Sequence, residues 1–354
     1  MRIYVLPCDG IGPEIIDASM TVLDAVNKKH KLGLTFDYDE IGFVSLKKFG
    51  TTLRDETLEK ARGYDGIILG TTSHMDYPPP EKGGRNPSAA FRVGLDLYAN
   101  VRPARSRPFL GKGAKNMDLV IVREATEGFY PDRNMFKGWG EVMPTAGIAL
   151  SIRKITAHAC QRIARRSFEL AMKRRKQVTA VHKANAFHMT DGLFLEEVRK
   201  VAKDFPEVKF NDIIVDAMAA HLVRDPSRFD VVVATNFYGD ILSDLASELS
   251  GSLGLAGSMM ASDVACCAQA QHGSAPDIEG QDRANPTSML LSVAMLLQWL
   301  GDHHKAPAFN KAGSEIDAAV DRVLADPASR TRDLGGTIGC KAFGERVAAV
   351  VASA

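Results

Sequence analysis

Short strand-like runs rich in β-branched residues alternate with longer amphipathic helical patterns along most of the chain. In the first third, the predicted order is strand, helix, strand, helix and strand, over residues 3–6, 14–28, 34–39, 53–62 and 66–69. After the middle, strands are predicted at 119–122, 178–181, 213–215 and 231–234, with helices that include 191–203 and 238–249. Such alternation indicates an α/β fold, in which helices cover a mainly parallel sheet.

The charge balance of the 354 residues limits the classes of partner. Forty-four Lys and Arg against forty-three Asp and Glu leave a net charge of +1, so no global field holds the chain on nucleic acid or an anionic membrane. We therefore expect a small-molecule partner, with neither nucleic acid nor membrane involved. At this length, two domains are more common than one.

Cysteine usage and apolar runs bear on the compartment. The five cysteines are odd in number and the adjacent Cys266-Cys267 pair lacks the spacing of zinc ligands, so we expect reduced thiols. The longest mostly apolar run, residues 289–300, is shorter than the ~20 residues of a bilayer span and is predicted to be a core helix. The first residues lack the apolar region of a signal peptide. The resulting expectation is a cytoplasmic location.

A glycine-rich turn, Asp9-Gly-Ile-Gly-Pro-Glu14, lies where a dinucleotide fingerprint belongs, between the first strand and the first helix. The G-x-G-x-x-G pattern fails because Ile15 occupies the third glycine position, and Pro13 fits the first turn of a helix. An ordinary Rossmann fold is therefore disfavoured. A simple tight turn and a ligand-facing turn remain open alternatives.

Three aspartates follow predicted strands. Asp240 and Asp244 stand four residues apart, so they share one face of a helix that begins just after strand 231–234. By itself the pair favours a solvated helix face, but ligand sites in α/β sheets gather at the carboxyl ends of strands. Asp216 likewise ends an apolar run. Three carboxylates with open positions suit Mg²⁺ or Mn²⁺ better than zinc.

Basic residues and a tyrosine also lie in or beside apolar segments. Arg92, Arg102 and Arg123 each suit a structural ion pair, whereas three together favour a polyanionic ligand. A lysine beside cations can lose its proton and act as a base, and a tyrosine can deliver a proton. Lys183, at a strand end, and Tyr130 are the candidates, although either alone is typical of a surface or packing residue.

Two loops have distinct characters. Residues 272–278, His-Gly-Ser-Ala-Pro-Asp-Ile, form a turn of small residues whose backbone N–H groups could approach phosphates, with Asp277 placed to take a ribose diol and repel a 2′-phosphate. Without context this is only a well-formed turn. Residues 129–147 lose all periodicity and predict a projecting arm or loop, whose Trp, Phe and Met suit an oligomer contact.

Taken together, these segments resemble the β-decarboxylating dehydrogenases, namely the isocitrate, homoisocitrate, 3-isopropylmalate and tartrate/D-malate dehydrogenases. The matching segments are residues 6–14, 96–103, 122–130, 182–185, 215–218, 236–244 and the loop at His272, in the family's order and spacing. The resemblance therefore covers nearly the whole chain.

The resemblance implies an isocitrate/isopropylmalate dehydrogenase-like two-lobed α/β fold. A large cofactor-binding lobe would hold both termini, over residues 1–98 and 252–354, and a small lobe would span 99–251. It also implies a homodimer, and it leaves dimer and tetramer as open alternatives. The arm at about 129–147 would clasp the partner, and the active sites would be shared between subunits.

The family's functional residues carry over onto matching positions. Substrate-binding residues would be Arg92, Arg102, Arg123, Ser88 and Asn185. Mg²⁺ or Mn²⁺ would be held by Asp240 and Asp244 with the partner subunit's Asp216; Lys183 of the partner subunit would be the base and Tyr130 the acid. The dinucleotide would contact His272, Gly273, Ser274, Ala275, Pro276, Asp277, Ile278 and Asn285. The Asp277-Ile278 pair resembles NAD-using members, whereas NADP-using ones tend to have Lys-Tyr there.

The implied activity is metal-dependent, NAD-linked oxidative decarboxylation of a 3-substituted (2R)-malate, of the 3-isopropylmalate, isocitrate or homoisocitrate type. Two alternatives stay open: a D-malate or tartrate dehydrogenase, and a non-catalytic regulatory subunit of a hetero-oligomeric isocitrate dehydrogenase. The chain departs from the pattern at Gln269, where many members have Glu, and at Ala125. Ser88 and Ala89 leave little apolar surface for an isopropyl group, whereas Arg85 could meet a distal carboxylate.

Overall fold

The computed structural model describes residues 1–353 and confirms the predicted α/β class. The strands in this range are β1 (Arg2–Leu6), β2 (Thr35–Tyr38), β3 (Gly66–Leu69), β4 (Ala99–Arg105), β5 (Asp118–Glu124), β6 (Glu141–Thr145), β7 (Ile148–Ser151), β8 (Gln177–His182), β9 (Lys209–Ile214), β10 (Val231–Ala234), β11 (Met259–Ala261) and β12 (Cys266–Gln269). The α-helices are α1 (Gly12–His30), α2 (Phe43–Phe49), α3 (Asp55–Ala61), α4 (Pro87–Gly94), α5 (Ala157–Met172), α6 (Thr190–Ala202), α7 (Val215–Arg224), α8 (Asn236–Leu249), α9 (Thr287–His303), α10 (Pro307–Ala325) and α11 (Cys340–Ser353).

The chain forms two compact units. The first unit contains Met1–Leu95, the short segment Arg107–Gly111 and the residues from Leu253 onward. The second unit contains Asp96–Ser106 and Lys112–Ser252. The first unit is thus assembled from three separate stretches of sequence, whereas the second is nearly continuous.

The first unit has a five-stranded arrangement in the order β2-β1-β3-β12-β11. Strands β2, β1, β3 and β12 run parallel to one another, and β11 pairs antiparallel with β12. Helix α9 packs against α10 and β12, and most of its residues are buried, which confirms the predicted core helix. Ser292, buried within α9, is satisfied, because its Oγ donates to the carbonyl of Ser288 and accepts from the amide of Ser258.

The second unit has the order β4-β5-β10-β8-β9, with β10 parallel to both β5 and β8 and β4 antiparallel to β5. Ala234 at the end of β10 stands opposite Arg123 on one side and Val181 on the other. Because parallel strands end at one edge of a sheet, the side chains that follow β5, β8, β9 and β10 gather there. This edge carries most of the predicted site residues of the second unit.

Two local predictions are wrong in detail. Val215, predicted to end a strand, is the first residue of α7, so Asp216 lies in the first turn of a helix. The predicted arm or loop at 129–147 contains β6, which pairs antiparallel with β7 to form a hairpin, so this segment has regular structure and extends beyond the predicted end to Ser151. Every residue of β6 and β7 is exposed, including the apolar Val142, Met143, Ile148 and Leu150. A hairpin with both faces exposed is only marginally stable in water.

Candidate active site

Arg123 on β5 is at the centre of a polar cluster in the second unit, with a side chain that is 1% exposed. Its Nε donates to Asn236 Oδ1 at 2.8 Å, and its Nη2 donates to the Tyr130 hydroxyl at 2.8 Å. Its Nη1 donates to Asp240, whose second oxygen accepts from Tyr130 at 2.8 Å. The predicted substrate arginine, proton donor and metal ligand therefore touch one another.

Arg102 on β4 completes the cluster. Its Nε donates to Asn100 at 2.8 Å, and its Nη1 donates to Ser243 Oγ at 2.8 Å. The same Nη1 lies 3.2 Å from an oxygen of Asp240 and 3.2 Å from one of Asp244. Burial, and then the nearby Arg123, lower the pKa of Arg102 to about 10. Few carboxylates thus neutralise the buried guanidinium groups of Arg102 and Arg123. An anionic ligand bound beside them would reduce their mutual repulsion.

A glycine lets α8 approach this cluster. A Cβ placed on Gly239 would come within 2.7 Å of the Arg123 Cβ, closer than carbon atoms approach in proteins. Gly239 therefore allows Asp240, the next residue, to lie against the Arg123 guanidinium. This glycine falls inside the segment 236–244 that predicted the cluster.

The donor set of this helix face suits a hard divalent cation. Asp240 and Asp244 share the face as predicted, because both reach the same nitrogen of Arg102. Carboxylate oxygens at a partly exposed position are typical ligands of Mg²⁺ and Mn²⁺. Within residues 1–353, no three His, Cys, Asp or Glu residues are grouped to hold a metal ion. The described part of one chain brings two carboxylates together on this helix face.

Lys183 and Asp216 form a separate pair at the same sheet edge. Lys183 follows β8, and its Nζ lies 2.6 Å from Asp216 Oδ1 in the first turn of α7. The hydrogen bond from Lys183 holds the pKa of Asp216 below its usual value. Asn185, two residues beyond Lys183, is exposed. The predicted base and the predicted third metal ligand are therefore adjacent within one chain.

In the first unit, the glycine-rich turn and the 272–278 loop lie against each other. The amide of Ile11 donates to the Ser274 carbonyl at 2.9 Å, and Ser73 Oγ donates to Ser274 Oγ at 2.8 Å. Gly10 has φ +57°, and a Cβ there would overlap the Ser274 carbonyl. The carboxylate of Asp9 accepts from the amide of Ser73 at 3.1 Å and fixes the turn.

The residues of the 272–278 loop fit an adenosine. His272 Nδ1 lies 3.0 Å from the Gly273 carbonyl, which only accepts, so Nδ1 carries the proton and Nε2 is an acceptor. Nε2 is closed off from solvent without a hydrogen-bond partner among residues 1–353, and burial lowers the pKa of His272, which favours the neutral ring. An amino group of a purine would satisfy this atom. Asp277 is exposed in the turn Pro276–Ile278, whereas Asn285 Oδ1 accepts from the amide of Thr287 and its Nδ2 donates to Asp333.

Ser88, at the start of α4, is buried and donates through Oγ to Gln269 Oε1 at 2.8 Å. The side-chain Nε2 of Gln269 donates to the carbonyl of Gly70 at 3.0 Å. Arg92 lies one turn further along α4, with Nε 3.0 Å from Met260 Sδ. Arg85 pairs with Asp55 at 2.7 Å, so its guanidinium is already engaged by a carboxylate of its own unit.

The sequence of the chain also matches a family of known proteins. A family model described as isocitrate/isopropylmalate dehydrogenase covers residues 2–347. The chain belongs to the isocitrate/isopropylmalate dehydrogenase family. The isocitrate/homoisocitrate dehydrogenase of Thermus thermophilus is 42% identical over 347 residues, which cover 98% of this chain and 97% of that protein. The 3-isopropylmalate dehydrogenase of Archaeoglobus fulgidus is 38% identical and covers 99% of both chains.

A solved structure gives the same result. The crystal structure of isocitrate dehydrogenase from Methylococcus capsulatus superposes with a TM-score of 0.86 and 38% sequence identity, over 99% of both chains. The relatives indicate a β-decarboxylating dehydrogenase of the isocitrate, homoisocitrate or isopropylmalate type. No helix within residues 1–353 is both long and apolar enough to cross a membrane.

Sequence patterns did not single out several members of this polar cluster. Asn236 accepts from Arg123 and donates to the carbonyl of Glu127 at 2.7 Å. Asn100 and Ser243 both bind Arg102. Asn100 stands two residues before Arg102, on the same side of β4, and Ser243 stands three residues after Asp240 on α8. These spacings could have identified both residues.

Gln269 stands where many family members have glutamate. Its two side-chain hydrogen bonds, to Ser88 and Gly70, predict the effect of a glutamate at this position. In Gln269→Glu, a carboxylate oxygen would face the carbonyl of Gly70, and two acceptors would meet in a buried position. We expect a loss of about 1–3 kcal/mol of unfolding free energy. Urea unfolding measures it, with the exposed Gln281→Glu as control. Equal stability of the two variants would mean that the Gly70 bond contributes nothing.

The titration of Glu127 should make the free energy of unfolding depend on pH. Burial, and to a smaller extent Glu124, raise the pKa of Glu127 to about 7 from 4.5, although the amide of Thr156 opposes the shift. Between these values the folded protein holds a proton that the unfolded chain has released. Unfolding free energy should therefore fall by about 3 kcal/mol as the pH rises through that window.

Urea unfolding at about pH 5 and about pH 7.5 measures this change. Glu127→Gln removes the titrating group, so its stability should fall less between the two pH values than that of the unmodified protein. Parallel pH profiles for both proteins would show that Glu127 does not titrate in this range.

Proposed function

We propose that the protein catalyses NAD-linked, divalent-metal-dependent oxidative decarboxylation of a 3-substituted (2R)-malate. The observation that carries the proposal is the contact of Arg102, Arg123 and Tyr130 with Asp240 and Asp244 at one edge of the second unit. Cations that bind carboxylates, a proton donor and oxygen ligands for a metal are the groups that this chemistry requires.

Arg102, Arg123 and Arg92 bind the carboxylates of the malate core, with Ser88 and Asn185 as further contacts. A planar guanidinium grips a carboxylate at two points, which fixes the orientation of the substrate. A bound divalent cation would make the substrate hydroxyl more acidic, and a bound NAD⁺ would supply the acceptor for the hydride of C2. Asp240 and Asp244 of one subunit, with the partner's Asp216, would hold the cation.

The proposed reaction includes two proton transfers. Lys183 of the partner subunit relays the hydroxyl proton away as hydride passes from C2 to NAD⁺, which gives a β-keto acid. The bond from C3 to its carboxylate then breaks, CO₂ leaves, and the electron pair remains as an enolate. Tyr130 protonates the enolate carbon. Arg123 and Asp240 hold the Tyr130 hydroxyl in place for that step.

The active site is shared in a homodimer. Lys183 and Asp216 pair with each other in one chain, and in the dimer they serve the partner's cluster of Arg123, Tyr130 and Asp240. The β6–β7 hairpin supports a dimer, because its exposed apolar residues need a covering surface. The two compact units differ from the expected lobes, 1–98 with 252–354 and 99–251, at residues 96–98, 107–111 and 252. Pairs of dimers are a further possible assembly.

The dinucleotide is NAD rather than NADP. Asp277 supports this choice, because an exposed carboxylate binds a ribose diol and repels a 2′-phosphate. His272 receives the adenine, and Gly273, Ser274, Ala275, Pro276, Ile278 and Asn285 line the same loop. The five cysteines are buried without disulfides in the described chain, which supports a reducing compartment such as the cytoplasm.

The test is NADH formation by the purified protein with Mg²⁺ or Mn²⁺, over isocitrate, homoisocitrate, 3-isopropylmalate, D-malate and tartrate, with NADP⁺ in parallel. Strong activity with one 3-substituted malate and NAD⁺, abolished by a chelator, is the expected result. Preference for D-malate or tartrate would replace the substrate class. Inactivity of a folded dimer over the whole panel would contradict the proposal and favour a regulatory subunit.

A further inference from the structure

A buried ion pair lies behind the predicted proton-transfer residues. Arg153 follows β7 and Asp191 lies in the first turn of α6, and their side chains are 5% and 0% exposed. Arg153 Nη2 stands 2.6 Å from Asp191 Oδ1. Such a pair gives up the hydration of two charges, so its geometry must be well supported by neighbours.

The second oxygen of Asp191 fixes the Lys183 backbone. Oδ2 accepts from the amide of Lys183 at 2.7 Å and from the Tyr238 hydroxyl at 3.1 Å. The carbonyl of Lys183 in turn accepts from the amide of Phe187 at 2.9 Å. The turn that carries Lys183 is therefore fixed at both its amide and its carbonyl.

The guanidinium of Arg153 fixes the other segment. Its central carbon lies 5.0 Å from the ring centroid of Phe129, 5.5 Å from that of Phe187 and 5.1 Å from that of Tyr238. A planar cation against aromatic faces is attracted by the rings and restricts their movement. Phe129 is the residue before Tyr130. Arg153 thus contacts Phe129, which precedes the proton donor Tyr130. It also contacts Asp191, which binds the backbone amide of the base Lys183.

We propose that Arg153 and Asp191 are positioning residues that hold Lys183 and the Phe129–Tyr130 segment through one buried ion pair. The inference rests on the proposed function, in which these two residues move protons. Within the shared dimer, Tyr130 acts in its own chain's site and Lys183 in the partner's. Each Arg153–Asp191 pair therefore supports one proton-transfer group in each of the two sites.

Hydrogen exchange measured by mass spectrometry tests the geometry without any assay of activity. Arg153→Lys keeps the charge but loses the planar stacking, and Asp191→Asn weakens the bond to the Lys183 amide. Both variants should exchange faster in peptides that cover residues 128–131 and 182–187. Arg165→Lys is the control, because Arg165 pairs with Asp204 on the exposed surface, and it should leave both peptides unchanged.

Kinetics test the functional consequence. For Arg153→Lys we expect kcat to fall by about 10–100-fold with little change in KM, because the substrate arginines are untouched while the proton-transfer groups are displaced. The pH profile of kcat should shift as well. Tyr238→Phe removes only one donor to Asp191, so it provides a milder variant, with a smaller fall in kcat, if the others fold poorly.

The outcomes separate the two proposals. If the unmodified protein is inactive, the proposed function fails, and hydrogen exchange alone decides the positioning inference. If the unmodified protein is active while folded Arg153→Lys keeps its kcat, pH profile and exchange in both peptides, the positioning inference is wrong. Faster exchange in only one of the two peptides would also overturn it, because the ion pair would then not support both segments.

Discussion

Lys183→Met should lower kcat by about 10²–10⁴-fold while leaving the fold intact. Methionine has a similar length but no proton to exchange, so the general-base contribution to hydride transfer disappears. The backbone bond from residue 183 to Asp191 is kept, because it uses the amide rather than the side chain. Initial rates of NADH formation at saturating substrate measure the loss.

Lys176→Met is the matched control for this result. Lys176 stands just before β8, at the opposite end of the strand from Lys183, and forms an ion pair with Glu207 that resembles the pair of Lys183 with Asp216. Its replacement removes a lysine and a pair at the same time, yet kcat should stay within about twofold, as for a surface ion pair. Equal losses in both variants would remove Lys183 from the reaction.

Tyr130→Phe should affect a later step. The ring remains, but the hydroxyl that binds Arg123 and Asp240 is lost, and with it the proton for the enolate carbon. Decarboxylation should slow more than hydride transfer, so the oxidised intermediate should accumulate in single-turnover experiments. Absence of that intermediate would assign Tyr130 another role.

Mixing the two variants tests whether sites are shared. A dimer of one Lys183→Met chain and one Tyr130→Phe chain has one site with both changes and one with neither. Subunit exchange should therefore restore activity that neither homodimer has. No recovery, with exchange verified by mass spectrometry, would place both residues in a single chain's site.

Asp240→Asn and Asp244→Asn should separate metal binding from stability. Loss of either carboxylate should weaken Mn²⁺ binding at least about 100-fold, which removes the rise in unfolding temperature that the metal produces. In Asp240→Asn, the buried Arg102 and Arg123 also lose their common carboxylate. The partial exposure of Asp240 reduces this cost, so we expect a loss of about 1–3 kcal/mol.

Asp244 is 54% exposed, so Asp244→Asn should lose less than about 0.5 kcal/mol without metal. Thermal unfolding with and without Mn²⁺ distinguishes the two effects, with the exposed Asp225→Asn as control. Retained stabilisation by Mn²⁺ in both site variants would show that the ion binds elsewhere.

Local pattern predicted the regular elements and the shared helix face of Asp240 and Asp244, but not the long-range partners of the charged side chains. Strand β10 matches the predicted residues 231–234, and the four-residue spacing of Asp240 and Asp244 predicted a shared face. Arg174, in the basic run 173–176, pairs with the buried Asp230, which lies 56 residues further along the chain, and no local pattern indicates this contact.

The β6–β7 hairpin was missed for a related reason. Its residues lack the alternation of a half-buried strand, because both of its faces are exposed. Arg153 and Asp191 likewise belong to no repeating pattern. Periodicity reports which face of an element is buried, and it carries no information about which distant side chain meets a given charge.

The separated stretches of the first unit have a consequence for synthesis on the ribosome. Strand β3 ends at residue 69, but its partner β12 begins at residue 266, roughly 200 residues later. At the usual speed of translation, one edge of β3 waits about 10–40 s for that partner. The second unit is complete in the nascent chain before then. During this interval the β3 edge is open to chaperones and to other nascent chains.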